Sequence, residues 1–429
     1  MKHLTSHILS AFILCAVSAQ DLQAGEISQK SNSQDRSFER LPDLKLVRGA
    51  HLKQMTLQIS ASNAWTLSAD QTWATVDTTT GNGDAEITLS VDTSALQDLD
   101  QANATLTLAE DGAEPATLQV NIDIWPKRPP ADATAAEIRA FVKDPANWPS
   151  DSSYKRSWEL WGFLPDTETH PDTNAGDNMD EWETIPCEAG NASDDCVQDG
   201  QAGLHAGLAA DQAWLLSTGD PRVKVAVLDS GIKWNERNLT TKHYLNAEEL
   251  RVCPPPGGDL NTEPLQTGFD VNGDGLFNIR DYDGATWLVD VNANGKNDPQ
   301  DLIWSNYTDG TPCSDGIDDD ANGYMDDISG WDFFWNDNDP SDDTNYGHGT
   351  GEANDSTGEP HDERGSIGIC PRCTLINLRV ADSFIADANS FAEAVVYATD
   401  NQASVVQEAL GSVNNTPFAQ NAITYAYNN

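Results

Sequence analysis

From about residue 46 to residue 125, apolar and polar positions alternate in short runs. Met55-Thr-Leu-Gln-Ile59, Glu86-Ile-Thr-Leu-Ser-Val91, Ala104-Thr-Leu-Thr-Leu108 and Leu118-Gln-Val-Asn-Ile122 each put every second residue on one face. Alternation with period two marks a half-buried strand, and Thr80-Gly-Asn-Gly83 and Glu110-Asp-Gly112 supply turns between the runs. Strands at this spacing, with no helical period among them, predict a small antiparallel β-sandwich over 46–126. The pattern then changes. Pro126 to Pro130 opens a linker covering 127–150, within which Ala135 to Val142 predicts a short helix. The main domain is placed at 151–429. In it, Gly203 to Thr218 has helical spacing, and Val223-Lys-Val-Ala-Val-Leu228 reads as a buried strand that runs into Asp229-Ser-Gly-Ile232.

The start of the chain reads as an export signal. Lys2 and His3 precede an apolar run from Ile8 to Ala19, and Val17-Ser18-Ala19 offers a small-residue cleavage site. That run is too short to span a bilayer, and no other stretch is apolar enough, so no membrane span is expected. Residues 20–45 are polar and irregular and are taken as a flexible lead-in. The expected location is therefore extracellular or at the cell surface. The formal net charge of −45, from 69 acidic and 24 basic residues, repels nucleic acid and anionic membranes. It makes divalent cations the natural charged partners. A surface adapted to a salty or calcium-rich medium explains the same number, and the two readings are compatible.

With Cys15 leaving in the signal, six cysteines remain: Cys187, Cys196, Cys253, Cys313, Cys370 and Cys373. An even number in an exported chain predicts three disulfides, Cys187 with Cys196 being a local pair. Cys370-Pro-Arg-Cys373 has redox-type spacing without the βαβ context of a redox site, and no second cysteine pair or histidine pair matches it as a zinc site.

The chemistry-bearing segments follow the predicted strands. Asp229 ends a buried strand and is followed by Ser-Gly, where open α/β sheets place their reactive groups. Tyr346-Gly-His-Gly-Thr350 flanks a histidine with glycines, so its ring can approach other backbone with both nitrogens free. Gly368-Ile-Cys-Pro-Arg-Cys-Thr-Leu-Ile-Asn-Leu-Arg-Val380 is a proline turn leading into a strand, and Ser404-Val-Val-Gln-Glu-Ala-Leu-Gly-Ser412 is a strand ending in small residues. In this order the four segments resemble the subtilisin-like serine proteases over roughly 151–429. The resemblance implies an α/β fold, a parallel sheet with helices on both faces, here incomplete at its C-terminal side and preceded by the small all-β immunoglobulin-like sandwich. It also implies that His348 is the general base for a serine hydroxyl and that Asp229 fixes its tautomer, chemistry known from subtilisin itself. Ala409, Leu410 and Gly411 match the strand that lines the substrate cleft.

Departures from the family pattern are specific. Gly351-Glu-Ala-Asn-Asp-Ser356 replaces an apolar helix start, which predicts a weaker or more exposed helix, and Ala409 stands where serine is usual. No serine has the Gly-Thr-Ser context that the family requires. These residues by themselves are expected not to hydrolyse peptides, and to be the front part of a longer protein. In the sandwich, Trp65 and Trp73 with a following glycine turn and Val-Asp strand resemble the BACON type of immunoglobulin-like module. That resemblance implies contact with carbohydrate or a cell surface, whereas the plainer explanation is that both tryptophans pack in the core.

Between the Asp and His motifs, at about 250–345, lies an acidic insertion. Positions 270 to 343 hold nineteen aspartates, no glutamate, and only Arg280 and Lys296 against them. Asp270, Asn272, Asp274, Asn278 and Asp281 place side-chain oxygens at loop positions 1, 3, 5, 9 and 12, with glycine at 6 and the Leu276 carbonyl at 7. Asp290, Asn292, Asn294, Lys296, Asp298 and Asp301 repeat the spacing. Asp318, Asp320, Asn322, Tyr324 and Asp326 form a third loop, with Ser329 in its last position. Oxygens converging at odd positions around a glycine turn are how a loop wraps Ca2+. The loops are too close for flanking EF-hand helices, so bare calcium loops are expected. The functional expectation is a secreted, calcium-stabilised serine endopeptidase acting on proteins and peptides. The alternative is a calcium-dependent binding or adhesion protein on an inactive protease scaffold.

Overall fold

The computed structural model describes residues 26–29, 44–48, 52–154, 157, 160–162 and 207–429. The predicted export signal, most of the predicted lead-in and the predicted Cys187–Cys196 pair lie outside the described residues. The chain divides into two compact units, one drawn from residues 1–42, 54–91 and 103–121, the other from 43–53, 92–102 and 122–429.

Nine strands precede residue 126: β1 (Glu26–Gln29), β2 (Leu44–Val47), β3 (Leu52–Ser60), β4 (Ala64–Ala69), β5 (Ala74–Val76), β6 (Thr80–Asn82), β7 (Ala85–Asp92), β8 (Gln101–Glu110) and β9 (Ala116–Trp125). They form two sheets, of order β1-β3-β7-β5 and β2-β9-β8-β4-β6. The alternating runs fall in β3, β7, β8 and β9, and their apolar positions Leu57, Ile59, Leu89, Val91, Leu106, Leu108, Val120 and Ile122 are buried. Trp65 and Trp73 are buried too, and Trp65 donates through Nε1 to the Gly83 carbonyl at 2.8 Å. Neither tryptophan presents a free face to a sugar ring. The predicted linker helix is present as α1 (Ala135–Lys143), held at its start by a capping box between Thr134 and Glu137.

The second unit contains a parallel sheet. Of the segment 203–218 with helical spacing, residues 207–218 are described, and among them only α2 (Ala210–Ala213) is helical before the chain turns into β10 (Lys224–Asp229). Helices α3 (Leu265–Phe269) and α4 (Pro299–Trp304) lie in the acidic insertion, and β11 (Trp331–Asp332) follows it. Then come α5 (His348–Thr357), β12 (Thr374–Arg379), α6 (Ala388–Asp400), β13 (Val405–Glu408) and α7 (Pro417–Asn428). The strands pair in parallel in the order β11-β12-β10-β13. Along β10 the side chains alternate between two apolar clusters. Ala226 and Leu228 pack with Ile376, Leu378 and the α6 residues Ala394, Val395 and Ala398. Val225 and Val227 pack with Leu375, Ile232 and Ala353 of α5. A strand buried on both faces reads as one continuous apolar run, which is why 223–228 shows no alternation.

The polar stretch 351–356 does fold as helix. Gly349, Thr350, Ala353, Ser356 and Thr357 turn one small-residue face inward, and the Ser356 and Thr357 hydroxyls donate to carbonyls one turn back. The acidic insertion has its own core around Trp234, Leu250, Leu265, Phe269, Tyr282, Leu302 and Ile303. A disulfide between Cys253 and Cys313 closes a 60-residue span around it, and a second joins Cys370 to Cys373. Closing a span of that length withdraws chain entropy from the unfolded state worth about 4 kcal/mol. Replacing Cys253 and Cys313 together by serine should lower the urea midpoint of the insertion by a matching amount in saturating calcium. An unchanged midpoint would show that the insertion's core and cations suffice.

Candidate functional site

Asp229 is the last residue of β10 and His348 the first of α5, 119 positions apart. His348 Nδ1 lies 2.9 Å from Asp229 Oδ1 and 3.0 Å from Oδ2. The carboxylate is 1% exposed, and its Oδ1 also accepts from the Ser230 backbone N–H at 2.7 Å. With the proton on Nδ1 the ring donates to Asp229, and the Nε2 lone pair is left outward.

The small residues of both motifs have physical reasons. Gly349 N–H donates to Ser230 Oγ at 3.1 Å, and Lys233 N–H donates to Thr350 Oγ1 at 3.0 Å, so each motif carries a hydroxyl that ties down the other. A Cβ on Gly349 would stand 2.5 Å from the Gly231 carbonyl oxygen and 2.9 Å from Asp229 Cβ. Gly231 itself has φ +86°, and a Cβ there would meet the Ser341 carbonyl oxygen at 2.7 Å. Tyr346 and Phe384 flank the imidazole with ring centroids 6.0 and 6.5 Å away. Glu352, one turn along α5, faces the other ring nitrogen, with Oε1 4.0 Å from Nε2. Beyond β13, Ala409 and Gly411 are exposed and Leu410 half-buried. Gly411 exchanges two backbone bonds with the preceding connection, donating to Phe384 O at 2.8 Å and accepting from Ala386 N at 2.9 Å.

The three aspartate loops share one wrap. In the first, the Asp270 carboxylate accepts from the N–H groups of Asp274 and Gly275 at 3.1 and 2.9 Å. Asp290 does the same for Asn294 and Gly295, and Asp318 for Asn322 and Gly323, at 2.8–3.0 Å. The closing residue is equally regular in the first two loops. Asp281 accepts from Val271 at 2.9 Å and from Asn278 at 2.9 Å, while Asp301 accepts from Val291 at 2.9 Å and from Asp298 at 3.0 Å.

The third loop is closed from elsewhere. Ser329, in its last position, turns away and donates to the Tyr244 carbonyl at 2.8 Å. Glu249 takes the closing part instead: Oε1 accepts from Asp319 at 2.9 Å and Oε2 from Asp326 at 3.0 Å, the same two loop positions. Asp326 turns its carboxylate to the Gly316 N–H, and Asp327 points inward beside Asp320. Ligand oxygens of Glu249, Asp320 and Asp327 all lie within 4.8 Å of one another, the one such group among the described residues. Asn246 donates to Asp320 and Asp327 at 3.0 and 2.9 Å, and Tyr397 OH donates to Asp327 at 2.5 Å. Burial, reinforced by Asp327, pushes the Glu249 carboxyl up to about 8, and burial pushes Asp327 up to about 7. Burial likewise raises Asp281 to about 7 and Asp301 to about 6. The donors are all oxygen, which suits a hard cation. Glu249 could not be found from loop spacing, since it lies outside the 270–343 stretch. Asp327 falls at loop position 10, which the ligand spacing passes over in favour of Asp326 at position 9.

A parallel sheet with helices packed against it ends one central strand, β10, on a buried aspartate that meets the histidine opening α5. Residues 220–429 match the model of the subtilase family. Among curated proteins it is similar to the thermophilic serine proteinase of Bacillus sp. (strain AK1), with 34% identity over 102 residues, 24% of this chain and 25% of that protein. It is also similar to thermitase of Thermoactinomyces vulgaris, with 30% identity over 102 residues, 24% of this chain and 36% of that protein. The chain thus spans about a quarter to a third of these relatives' lengths. Among solved structures, a GH5 xyloglucanase of Bacteroides ovatus aligns with 30% of this chain and 28% of its own at 16% identity, with a TM-score of 0.18 that carries no argument.

Two outcomes are expected. Gly349→Ala should cost about 1–3 kcal/mol through overpacking against Asp229. Gly351→Ala, where an added Cβ meets nothing within 4 Å, should gain about 0.5–1 kcal/mol from helix propensity. Equal changes in urea denaturation would remove the close-approach argument. The second concerns pH. Carboxyls raised from about 4 when unfolded to 6–8 when folded make the folded state bind more protons across that window, so stability falls as pH rises through it. In chelator the melting temperature should decline from pH 5 to 8. A flat profile would contradict the burial of these groups.

Proposed function

We propose that residues 151–429 are part of the catalytic domain of an exported, calcium-stabilised serine endopeptidase, with Asp229 and His348 as two of its three catalytic groups. The observation that carries this reading is the contact of His348 Nδ1 with both oxygens of a buried Asp229, at 2.9 and 3.0 Å. In such a site Nε2 takes the proton of a serine hydroxyl as it attacks the peptide carbonyl, then returns it to the departing amine. Asp229 holds the tautomer that makes this possible and stabilises the imidazolium. The exposed strip Ala409, Leu410 and Gly411 takes the substrate's backbone. Because Gly411's own backbone groups bond to Phe384 and Ala386, contacts with substrate fall on Ala409 and Leu410. Export accounts for the signal-like residues 1–19 and for the disulfides, and no helix among the described residues is long and apolar enough to cross a membrane.

Calcium is assigned to the three loops, the third comprising Asp318, Asp320, Asn322 and the Tyr324 carbonyl with Glu249 and Asp327. Bound there, it supplies the positive charge that the insertion's carboxylates lack.

Reading the coding frame past the codon for Asn429, and assaying the product on casein, tests the peptidase reading. Expected is a Gly-Thr-Ser segment and activity that His348→Ala lowers on the order of a million-fold, the cost of losing the base in subtilisin. A frame without that serine, or a serine-bearing product without activity, would overturn it. For calcium, chelator should lower the melting temperature sharply and open residues 250–345 to proteolysis. Glu249→Gln should weaken calcium's stabilising effect as much as Asp320→Asn does; equal calcium response in Glu249→Gln and wild type would remove Glu249 from the ligand set.

A further inference from the structure

His348 and Glu352 stand four residues apart on one face of α5, with His348 Nε2 4.0 Å from Glu352 Oε1. Both side chains are 29% exposed, so the space between them is open to solvent on one side. Each is also held from behind. Asp229 accepts a hydrogen bond from Nδ1–H at 2.9–3.0 Å, which fixes the ring with its Nε2 4.0 Å from Glu352 Oε1. Gln407, on β13, donates from Nε2 to Glu352 Oε2 at 2.7 Å, which leaves Oε1 as the oxygen facing the histidine. The side-chain amide oxygen of Gln407, Oε1, is itself buried without a hydrogen-bond partner.

An imidazole backed by a carboxylate, beside a carboxylate whose second oxygen is hydrogen-bonded, is how proteins prepare ligands for a transition metal. We propose that His348 and Glu352 bind a divalent transition-metal ion of the zinc class, water completing its coordination. The donor set excludes calcium, which takes oxygen ligands, and nitrogen plus carboxylate suits zinc. A tetrahedral ion with bonds of about 2.0–2.1 Å holds two ligand atoms about 3.3 Å apart. The pair reaches that separation by a small rotation of Glu352 toward the ring. No proton is displaced, because Nε2 binds through its lone pair while Nδ1 keeps its hydrogen. The consequence rests on the peptidase reading: a metal on Nε2 occupies the lone pair the base needs, and reversible zinc inhibition follows.

The test is calorimetric titration of Zn2+ into the untagged 429-residue chain, saturated with calcium so that the aspartate loops are filled. Wild type should bind one zinc that His348→Gln abolishes and that Glu352→Gln weakens at least tenfold. Gln407→Leu should weaken it about 10- to 100-fold, the usual effect of removing an outer partner. Melting curves in calcium establish that each variant is folded, and the near-isosteric Glu352→Gln suffices if His348→Gln is not. Absence of zinc binding in calcium, or equal affinity in wild type and Glu352→Gln, would overturn the proposal. Because binding needs no serine, a serine-bearing form that binds zinc but cleaves nothing would sink the peptidase reading and leave the metal site standing.

Discussion

The contact between Asp229 and His348 joins the end of one strand to the start of a helix 119 residues later, and the intervening chain holds the whole acidic insertion. That arrangement sets the constraint on everything else in this unit. The Asp229–His348 contact forms only if a segment crowded with carboxylates folds and returns the chain to the sheet. Hydrophobic burial alone supplies part of the drive, through Leu250, Phe269, Tyr282 and Leu302. It also creates the problem, because packing those side chains draws Glu249, Asp281, Asp301 and Asp327 out of water. The raised carboxyls measure the conflict: without counter-charge, the folded insertion favours holding protons.

Two solutions to the same problem lie side by side. Where the insertion meets the sheet, the chain uses its own cation. Arg379, fully buried at the end of β12, reaches Asp332 at 3.0 Å and Asp343 at 2.6 Å, and also bonds Asp382. Asp332 is nonetheless raised to about 6, because burial outweighs the guanidinium beside it. Where carboxylates meet one another, around Glu249, Asp320 and Asp327, amides and the Tyr397 hydroxyl share the oxygens instead. Neutral donors satisfy lone pairs but leave the charge, which is the physical case for an external cation at that point and not beside Arg379.

Much of the site was legible in the sequence because its information is local. Asp229 and His348 are marked by the small residues that let two backbones approach, and the structure gives each of those residues a contact. The loop positions from 1 to 6 repeat because the same carboxylate-to-backbone bonds recur three times. What was not legible depends on tertiary placement. Glu249 closes the third loop from some seventy residues upstream, so no spacing rule points to it. Around the short α2, Trp214 packs on Trp125 and Tyr154 while Leu208 and Leu216 are exposed, so the apolar period there does not mark one buried helical face. The polar run after His348 looked like a poor buried helix; its inward face is instead made of glycine, alanine and hydroxyls that bond their own turn.

The same run shows how a departure from a family pattern can carry meaning. A half-buried Glu352 on α5 is unfavourable unless its charge has a partner, and the structure gives it Gln407 and the histidine edge. Gln407 in turn lies on β13, the strand leading to Ala409 and Leu410. A change in the ligand or protonation at His348 would therefore be felt along β13 through one carboxylate and one amide. Glu352 in α5 and Gln407 in β13 thus form one polar unit. Each makes sense physically only because the other is present.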